Sequence, residues 1–175
     1  YDSIFLNDFL TMEELRWAFE QVYELNEKKP PVDIIGFDAC LMASMEVAES
    51  LNGVASYLVA CEETEPGDGW DYKDFLNRLA ENPRMNPLQL SRVAADSYMD
   101  PHARDSVRNN TMSSELCSVL DLRYADDLYQ AYSDFASAAL EQSAQYAGTA
   151  AYLGNAANKA LRFGSIVQAE YNTLD

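Results

Sequence analysis

Residues 32–61, VDIIGFDACLMASMEVAESLNGVASYLVAC, decide the fold. The first part, residues 32–39, is a short apolar run preceded by two prolines, which predicts a strand buried on both faces, as in a parallel sheet. From residue 41 to residue 51 the apolar side chains recur at helical spacing, and residues 56–61 predict the next strand. A strand, a helix and a strand joined by short connections form a βαβ unit, which implies parallel strands.

The rest of the chain continues the same alternation of helices and strands. Thr11 followed by Glu14 is a capping-box pattern, which predicts a helix over residues 12–26 that ends before Pro30 and Pro31. Two short helices, a third strand and a long helix are predicted over residues 73–82, 87–98, 114–121 and 124–142. The polar stretch 100–110 is expected to be exposed. We therefore predict an α/β fold with a mostly parallel sheet flanked by helices.

Length and charge exclude several classes of protein. A chain of 175 residues, 48% hydrophobic and 23% charged, has the composition of one globular domain. With 12 Lys and Arg against 29 Asp and Glu, the formal net charge is −17, which argues against binding nucleic acid or an anionic membrane surface. It favours a cationic partner, such as a basic peptide or a metal ion. No apolar run approaches the roughly 20 residues that a membrane-spanning helix needs.

The first residue and the cysteines give two further expectations. The chain begins at Tyr1 and carries no signal-peptide pattern, so we expect a processed product or an excised segment. The chain has three cysteines, Cys40, Cys61 and Cys117. This small and odd number is not typical of a domain held together by disulfides. At least one thiol should therefore be free, unless it pairs with another chain. Cys117 falls on the third predicted strand and is expected in the core.

Cys40 is the first candidate for chemistry. It follows the carboxyl end of the first predicted strand, where sites gather in open α/β sheets. We expect a helix to begin just after it, and the unpaired N–H groups and positive dipole end of a helix N-terminus would favour the nucleophilic thiolate. The alternative is a buried structural cysteine, which is the commonest state of a free thiol.

Two blocks of sequence resemble the clostripain family of cysteine peptidases, which share the architecture of caspases, gingipains and legumains. They are residues 33–49, DIIGFDACLMASMEVAE, and residues 57–72, YLVACEETEPGDGWDY. The Leu-Thr-Met-x-Glu sequence that opens the first predicted helix also resembles the family. The resemblance implies a caspase-like fold in which this chain supplies only the later strands of the sheet.

The resemblance also implies roles for four residues. Cys40 corresponds to the nucleophile, and Asp38 to the acid of a pocket that binds the Arg or Lys after which these enzymes cut. If the strand continues through both, Asp38 and Cys40 face the same way. Asp68 is the second candidate acid, and Trp70 a candidate apolar wall for the basic side chain. The alternatives are a helix N-cap for Asp38, a turn residue for Asp68 and ordinary packing for Trp70.

The general base is where the sequence departs from the family. A cysteine peptidase needs a histidine to accept the thiol proton. The single histidine, His102, follows Asp-Pro in a polar stretch, and we expect a solvated loop residue. In the family the histidine precedes the cysteine in a His-Gly element, which would lie upstream of Tyr1. We therefore expect residues 1–175 to be a partial catalytic domain, inactive alone, whose light chain or N-terminal segment comes from the same precursor by autoprocessing.

Two other features of this region leave alternatives open. Glu62, Glu63 and Glu65 precede Asp68 and Asp71, and such oxygen ligands could hold Ca²⁺, although a solvated acidic loop is the simpler interpretation. No cofactor is required for the chemistry itself, and no other metal site is predicted. A disulfide between Cys40 and Cys61 would block the nucleophile, whereas a buried free thiol at Cys61 would not. Secretion from a bacterium, or display on its surface, is implied by the resemblance alone.

Three functions follow from these observations. The leading hypothesis is a cysteine endopeptidase that cleaves peptides or proteins after Arg or Lys. The alternative is an inactive module that captures basic peptides in the same cleft. A third hypothesis is a non-peptidase α/β protein in which Cys40 belongs to the core, and slow alkylation of Cys40 would favour it.

Overall fold

A computed structural model describes residues 9–25, 27, 29–65, 69–109 and 116–160. The contacts within the chain divide it into two units, Tyr1–Ala125 and Asp126–Asp175.

The first unit carries the sheet and most of the helices. Its elements in chain order are α1 (Met12–Glu20), β1 (Val32–Gly36), α2 (Met45–Ser50), β2 (Ala55–Cys61), α3 (Tyr72–Glu81), α4 (Pro87–Asn109), β3 (Cys117–Asp121) and a 3₁₀ turn (Leu122–Tyr124). The capping box predicted for α1 is present, because Glu14 N–H donates to Thr11 Oγ1 at 3.2 Å and Thr11 N–H donates to Glu14 Oε2 at 2.9 Å.

The sheet has the order β1-β2-β3, with β2 in the centre. Strand β1 pairs parallel with β2, with Ile34 opposite Tyr57 and Gly36 opposite Val59, so the predicted βαβ unit is confirmed. Strand β3 pairs antiparallel with β2, with Val119 opposite Val59. The α/β class is therefore confirmed, and the described sheet is mixed.

Two apolar clusters cover the two faces of the sheet. One consists of residues from α2, β2 and the 3₁₀ turn, with residues of α1 packed against it; its fully buried members include Leu51, Val54, Leu58 and Leu122. The other consists of residues from β2, Trp70 and α4, and its buried members include Val59, Cys61 and Tyr98. Successive residues of β2 alternate between the two clusters, as the pleat requires.

Several predicted boundaries are wrong. The helix expected from residue 41 begins at Met45, where Ser44 Oγ accepts the Val47 N–H at 3.3 Å. The first strand ends at Gly36 rather than residue 39. The helix predicted over 87–98 continues to Asn109, so His102 lies in a helix rather than in a loop. Helix α1 ends at Glu20 rather than at residue 26, where the following proline pair led us to expect its end.

The described part of the second unit contains the long helix α5 (Ala125–Gln145), whose first residue ends the first unit, and α6 (Ala147–Lys159). Helix α5 confirms the helix predicted over 124–142. Many of its large apolar side chains are exposed, including Tyr129, Tyr132 and Phe135. In the part of the chain that the structure describes, no helix is long and apolar enough to cross a membrane.

Candidate active site

The candidate site lies beyond the carboxyl ends of β1 and β2, which run parallel and therefore finish at the same edge of the sheet. Backbone hydrogen bonds join the segment that leaves β1 to the last residues of β2 and to the segment that follows β2. Phe37 N–H donates to Val59 O at 3.0 Å, and Ala43 N–H donates to Cys61 O at 3.0 Å. Leu41 N–H donates to Glu63 O at 3.2 Å. The loop that carries Cys40 is thus fixed against the segment after β2.

Cys40 is exposed within this loop, and its thiol is free. The Glu65 N–H donates to Cys40 Sγ at 3.2 Å, and the thiol lies 3.9 Å from the Glu65 carbonyl oxygen, which it can approach as a donor. The prediction of a helix N-terminus at Cys40 is wrong, since α2 begins at Met45. The backbone donor that a thiolate needs comes instead from the segment after β2, which the sequence pattern did not indicate.

The backbone beside Cys40 is strained. Leu41 has φ +62°, in the left-handed region that side chains other than glycine rarely adopt. This conformation turns the chain sharply after Cys40 and leaves the thiol side chain exposed. Such strain occurs at sites where the surrounding structure imposes it.

Asp38 lies in the same connection and faces the segment after β2. The Tyr72 hydroxyl donates to Asp38 Oδ2 at 3.0 Å. A Cβ at Gly69 would stand 2.7 Å from Asp38 Oδ1, and Gly69 itself has φ +63°, so only glycine leaves room for this carboxylate. The alternative of a helix N-cap is wrong for Asp38, because Ser44 caps α2. The strand alternation expected to align Asp38 with Cys40 also does not apply, since both lie beyond the strand.

Trp70 is buried beneath the end of β1. A Cβ at Gly36 would meet the Trp70 ring at 2.8 Å, which shows how closely the indole approaches the β1 backbone. Its ring also lies near that of Tyr72, with centroids 6.4 Å apart. Trp70 Nε1 is buried and makes no hydrogen bond of good geometry. The packing interpretation of Trp70 describes these contacts, and its role as a wall for a substrate side chain stays a prediction.

The sequence indicated Glu65 only as one of several acids that could hold Ca²⁺, because nothing distinguished it from its acidic neighbours, and the pattern did not predict a place for Glu65 beside Cys40. The Glu65 Oε1 atom is buried without a hydrogen bond of good geometry. The pKa of Glu65 is raised, first by burial and then by the nearby carboxyl of Asp38, while the neighbouring Cys61 thiol and Trp70 indole act in the opposite direction. Two carboxyl groups therefore share one partly buried space, and their repulsion favours a proton on one of them.

The remaining cysteines lie next to this space. Cys61 is buried and free, which confirms the free-thiol interpretation, and it stands directly opposite Cys117 across β2 and β3. Glu62 N–H donates to Leu116 O at 3.3 Å, so the cysteines form the adjacent non-hydrogen-bonded pair, in which side chains come closest. The pKa of Cys61 is raised, first by its hydrogen bond with Cys117 and then by burial.

The acidic segment does not act as one cluster where it is described. Glu62 Oε1 accepts from Ser118, Glu63 Oε1 accepts the Thr64 N–H at 2.9 Å, and Asp71 caps α3. Among the side chains that the structure describes, no three His, Cys, Asp or Glu groups gather as a metal ion would need. The candidate acid Asp68 and the side chain of His102 lie outside the described residues. Calcium binding stays a prediction.

Comparison with known proteins gives one family and several structures. A family model described as the clostripain family matches residues 1–173. No curated protein matches the chain. The structure is similar to a B. fragilis cysteine protease, with 24% identity, a TM-score of 0.53, and 70% of this chain and 47% of that chain covered.

Two proteins from Bacteroides thetaiotaomicron have the same fold. One is a secreted cysteine protease in complex with an irreversible peptide inhibitor, with 22% identity, a TM-score of 0.54, and 73% of this chain and 34% of that chain covered. The other is a clostripain in complex with the peptide inhibitor BTN-VLTK-AOMK, with 18% identity, a TM-score of 0.50, and 73% and 50% covered. The matched part of this chain spans half or less of the length of each of these proteins.

Proposed function

Because the chain belongs to the clostripain family, we propose that it forms part of a cysteine endopeptidase that cleaves after Arg or Lys. One observation carries the proposal: beyond the carboxyl ends of β1 and β2, the exposed thiol of Cys40 contacts Glu65 and the carboxylate of Asp38 accepts the hydroxyl of Tyr72 at the start of α3. A nucleophile and an anion for a basic side chain are the two groups that such a reaction requires of this chain.

Cys40 attacks the scissile carbonyl as the thiolate, and the Glu65 N–H steadies the sulfur. A histidine takes the thiol proton, the S–C bond forms, and the leaving amine takes that proton from the histidine as the C–N bond breaks. Water then hydrolyses the thioester and returns the thiol. The histidine belongs to a segment upstream of this chain, so residues 1–175 alone are expected to be inactive.

Asp38 binds the guanidinium or ammonium of the substrate. Its carboxylate keeps a partner in Tyr72, and it occupies the space that the missing Cβ of Gly69 leaves. Asp68 supplies a second negative charge, and Trp70 forms the apolar side of the pocket. The formal net charge of −17 agrees with basic substrates, although it does not by itself create a pocket.

The partners in this proposal are peptides or proteins with Arg or Lys at the cleavage site, and the light chain or N-terminal segment of the same precursor. Secretion fits the family, and Ca²⁺ bound by the acidic segment would be an accessory to folding rather than a reactant.

The test uses the full-length protein that contains this chain, with fluorogenic peptides ending in Arg, Lys, Asp or Leu. We expect cleavage after Arg or Lys only, abolished by Cys40→Ala. Asp38→Asn should lower kcat/KM for basic substrates by roughly 10- to 100-fold, since a hydrogen bond between charged groups is worth about 1.5–3 kcal/mol. Asp33→Asn, at an exposed position on β1, is the matched control and should leave activity unchanged.

Absence of cleavage by folded protein with reduced Cys40 would overturn the endopeptidase proposal. Binding of basic peptides by that inactive protein, lost in Asp38→Asn, would establish the capture module instead. Cleavage after Leu or Asp would retain the nucleophile and overturn the acidic pocket.

A further inference from the structure

Glu65 contacts both halves of the candidate site. Its backbone N–H donates to Cys40 Sγ at 3.2 Å, and its carbonyl oxygen lies 3.9 Å from the same sulfur. Its side-chain carboxyl interacts with Asp38, Cys61 and Trp70. One residue thus holds the nucleophile with its main chain and lies beside the pocket acid with its carboxyl group.

The surroundings of the Glu65 carboxyl favour its neutral form when no cation is present. Burial and the nearby Asp38 both raise the pKa of Glu65. The other titratable groups that face it are Cys61 from β2, itself hydrogen-bonded to Cys117, and the Tyr72 hydroxyl from α3. None of these groups carries a positive charge, so the described residues provide no cation here that would stabilise a second carboxylate.

The indole of Trp70 is the independent sign that this space is built for an anion. Trp70 is nine-tenths buried, and its Nε1 proton has no hydrogen bond of good geometry, although the Glu65 carboxyl lies beside it. A buried N–H without a partner is costly. An ionised Glu65 that moved slightly toward Trp70 would satisfy this donor, so the arrangement suits a carboxyl group that alternates between two charge states.

We propose that Glu65 is a positioning residue that couples pocket occupancy to the nucleophile: its carboxyl keeps a proton beside Asp38 in the empty pocket and releases it when a guanidinium or ammonium group binds. The inference rests on the proposed function for the identity of the cation. The proton passes to the solvent, and no other bond is made or broken. Since the same residue contacts Cys40 through its backbone, a filled pocket fixes the loop on the sulfur.

The coupling has a defined pH dependence. A proton and a bound cation compete for the Glu65 carboxylate. The affinity for a basic ligand therefore falls as pH is lowered through the raised pKa of Glu65. Below that pKa the loss approaches tenfold per pH unit, roughly, for one linked proton. In Glu65→Gln the side chain has nearly the same size but cannot titrate, so this dependence disappears.

The experiment measures proton release during binding of acetyl-arginine amide to the full-length protein carrying Cys40→Ala, which prevents cleavage. Calorimetry in buffers of different ionisation enthalpy, between about pH 5 and pH 8, gives the protons released per ligand. We expect release in the parent protein, none in Glu65→Gln, and parent behaviour in Glu81→Gln, an exposed glutamate at the end of α3. Binding heats independent of the buffer in the parent protein would overturn the proposal, even if Glu65→Gln failed to fold.

A second readout concerns positioning. In protein with Cys40 intact, iodoacetamide alkylation of Cys40 should be roughly tenfold slower in Glu65→Ala, which frees the loop, than in the parent protein, because a hydrogen bond to the thiolate is lost. An unchanged rate would overturn the positioning role. If ligand binding releases a proton but the protein with Cys40 intact cleaves no peptide, this inference holds for a capture module and the endopeptidase proposal is rejected. The two proposals can therefore fail separately.

Discussion

The two faces of the sheet are built from different side chains. The face toward α1 and α2 is aliphatic, with Leu51, Leu58 and Leu122 fully buried. The face toward α4 carries an indole, a phenol and a thiol, in Trp70, Tyr98 and Cys61, and buried hydroxyls lie on α4 at Ser91 and Ser97. Both faces exclude water, but only the second contains groups that can form hydrogen bonds.

The difference in composition between the two faces indicates that one face stabilises the fold and the other also supports the candidate site. The buried members of the aliphatic cluster carry no polar side-chain group, and the cluster stabilises the protein by burying apolar area. The other cluster extends to the site, since Trp70 touches Gly36 and the Cys61 thiol lies beside Glu65. We therefore expect mutations on the aliphatic face to change stability alone, whereas mutations on the aromatic face should change stability and chemistry together.

The largest effects are expected from one truncation on each face. Leu58→Ala should lower the free energy of unfolding by about 2–5 kcal/mol and Trp70→Ala by about 3–5 kcal/mol, because each leaves a cavity in a packed core. Measured by denaturant unfolding, the two losses should be similar. At a temperature where both variants are folded, kcat/KM should fall roughly tenfold or more only for Trp70→Ala, which removes the support of Glu65. Equal losses of kcat/KM in both would show that the faces do not differ.

The sequence predicted the aliphatic face and its strands better than it predicted the site. Apolar runs and a helical period indicated β1, α2 and β2 and their parallel pairing, because these signals are local. The boundaries near Cys40 were wrong because the left-handed turn at Leu41 and the cap at Ser44 are imposed by hydrogen bonds to the segment after β2. A leucine in the sequence does not predict a left-handed turn, because residues other than glycine rarely adopt one.

The site residues divide in the same way. Cys40 and Asp38 were found through short motifs, whereas Glu65 was hidden among neighbouring acids. Its role depends on which carboxyl is buried beside Asp38 and Trp70, a consequence of tertiary packing that no spacing rule contains. Antiparallel pairing of β3 was likewise not predicted, since the residues between α4 and β3 carry no pattern that fixes strand direction.

A smaller effect is expected from the close approach of Trp70 to the strand. Gly36→Ala places a methyl group 2.8 Å from the Trp70 ring and should lower the free energy of unfolding by about 1–3 kcal/mol, as overpacking does. Gly154→Ala is the control, because a Cβ there meets nothing within 4 Å and alanine favours the helix by about 0.5–1 kcal/mol. Thermal unfolding monitored by circular dichroism should therefore shift in opposite directions. A neutral Gly36→Ala would mean that Trp70 yields, and that the aromatic face is looser than its contacts indicate.

The smallest expected effect tests whether the site loop stores strain that neither face contains. Leu41 is 44% exposed, so replacing it removes little packing and leaves its φ of +62° as the main variable. Leu41→Asn should keep or raise the free energy of unfolding by up to about 1 kcal/mol, since asparagine tolerates this conformation, whereas Leu41→Val should lower it by about 1–2 kcal/mol. If both variants unfold at the same denaturant concentration, the turn after Cys40 relaxes freely. The main difference within the molecule would then be between a rigid sheet and a loop after Cys40 that becomes ordered only when a ligand binds.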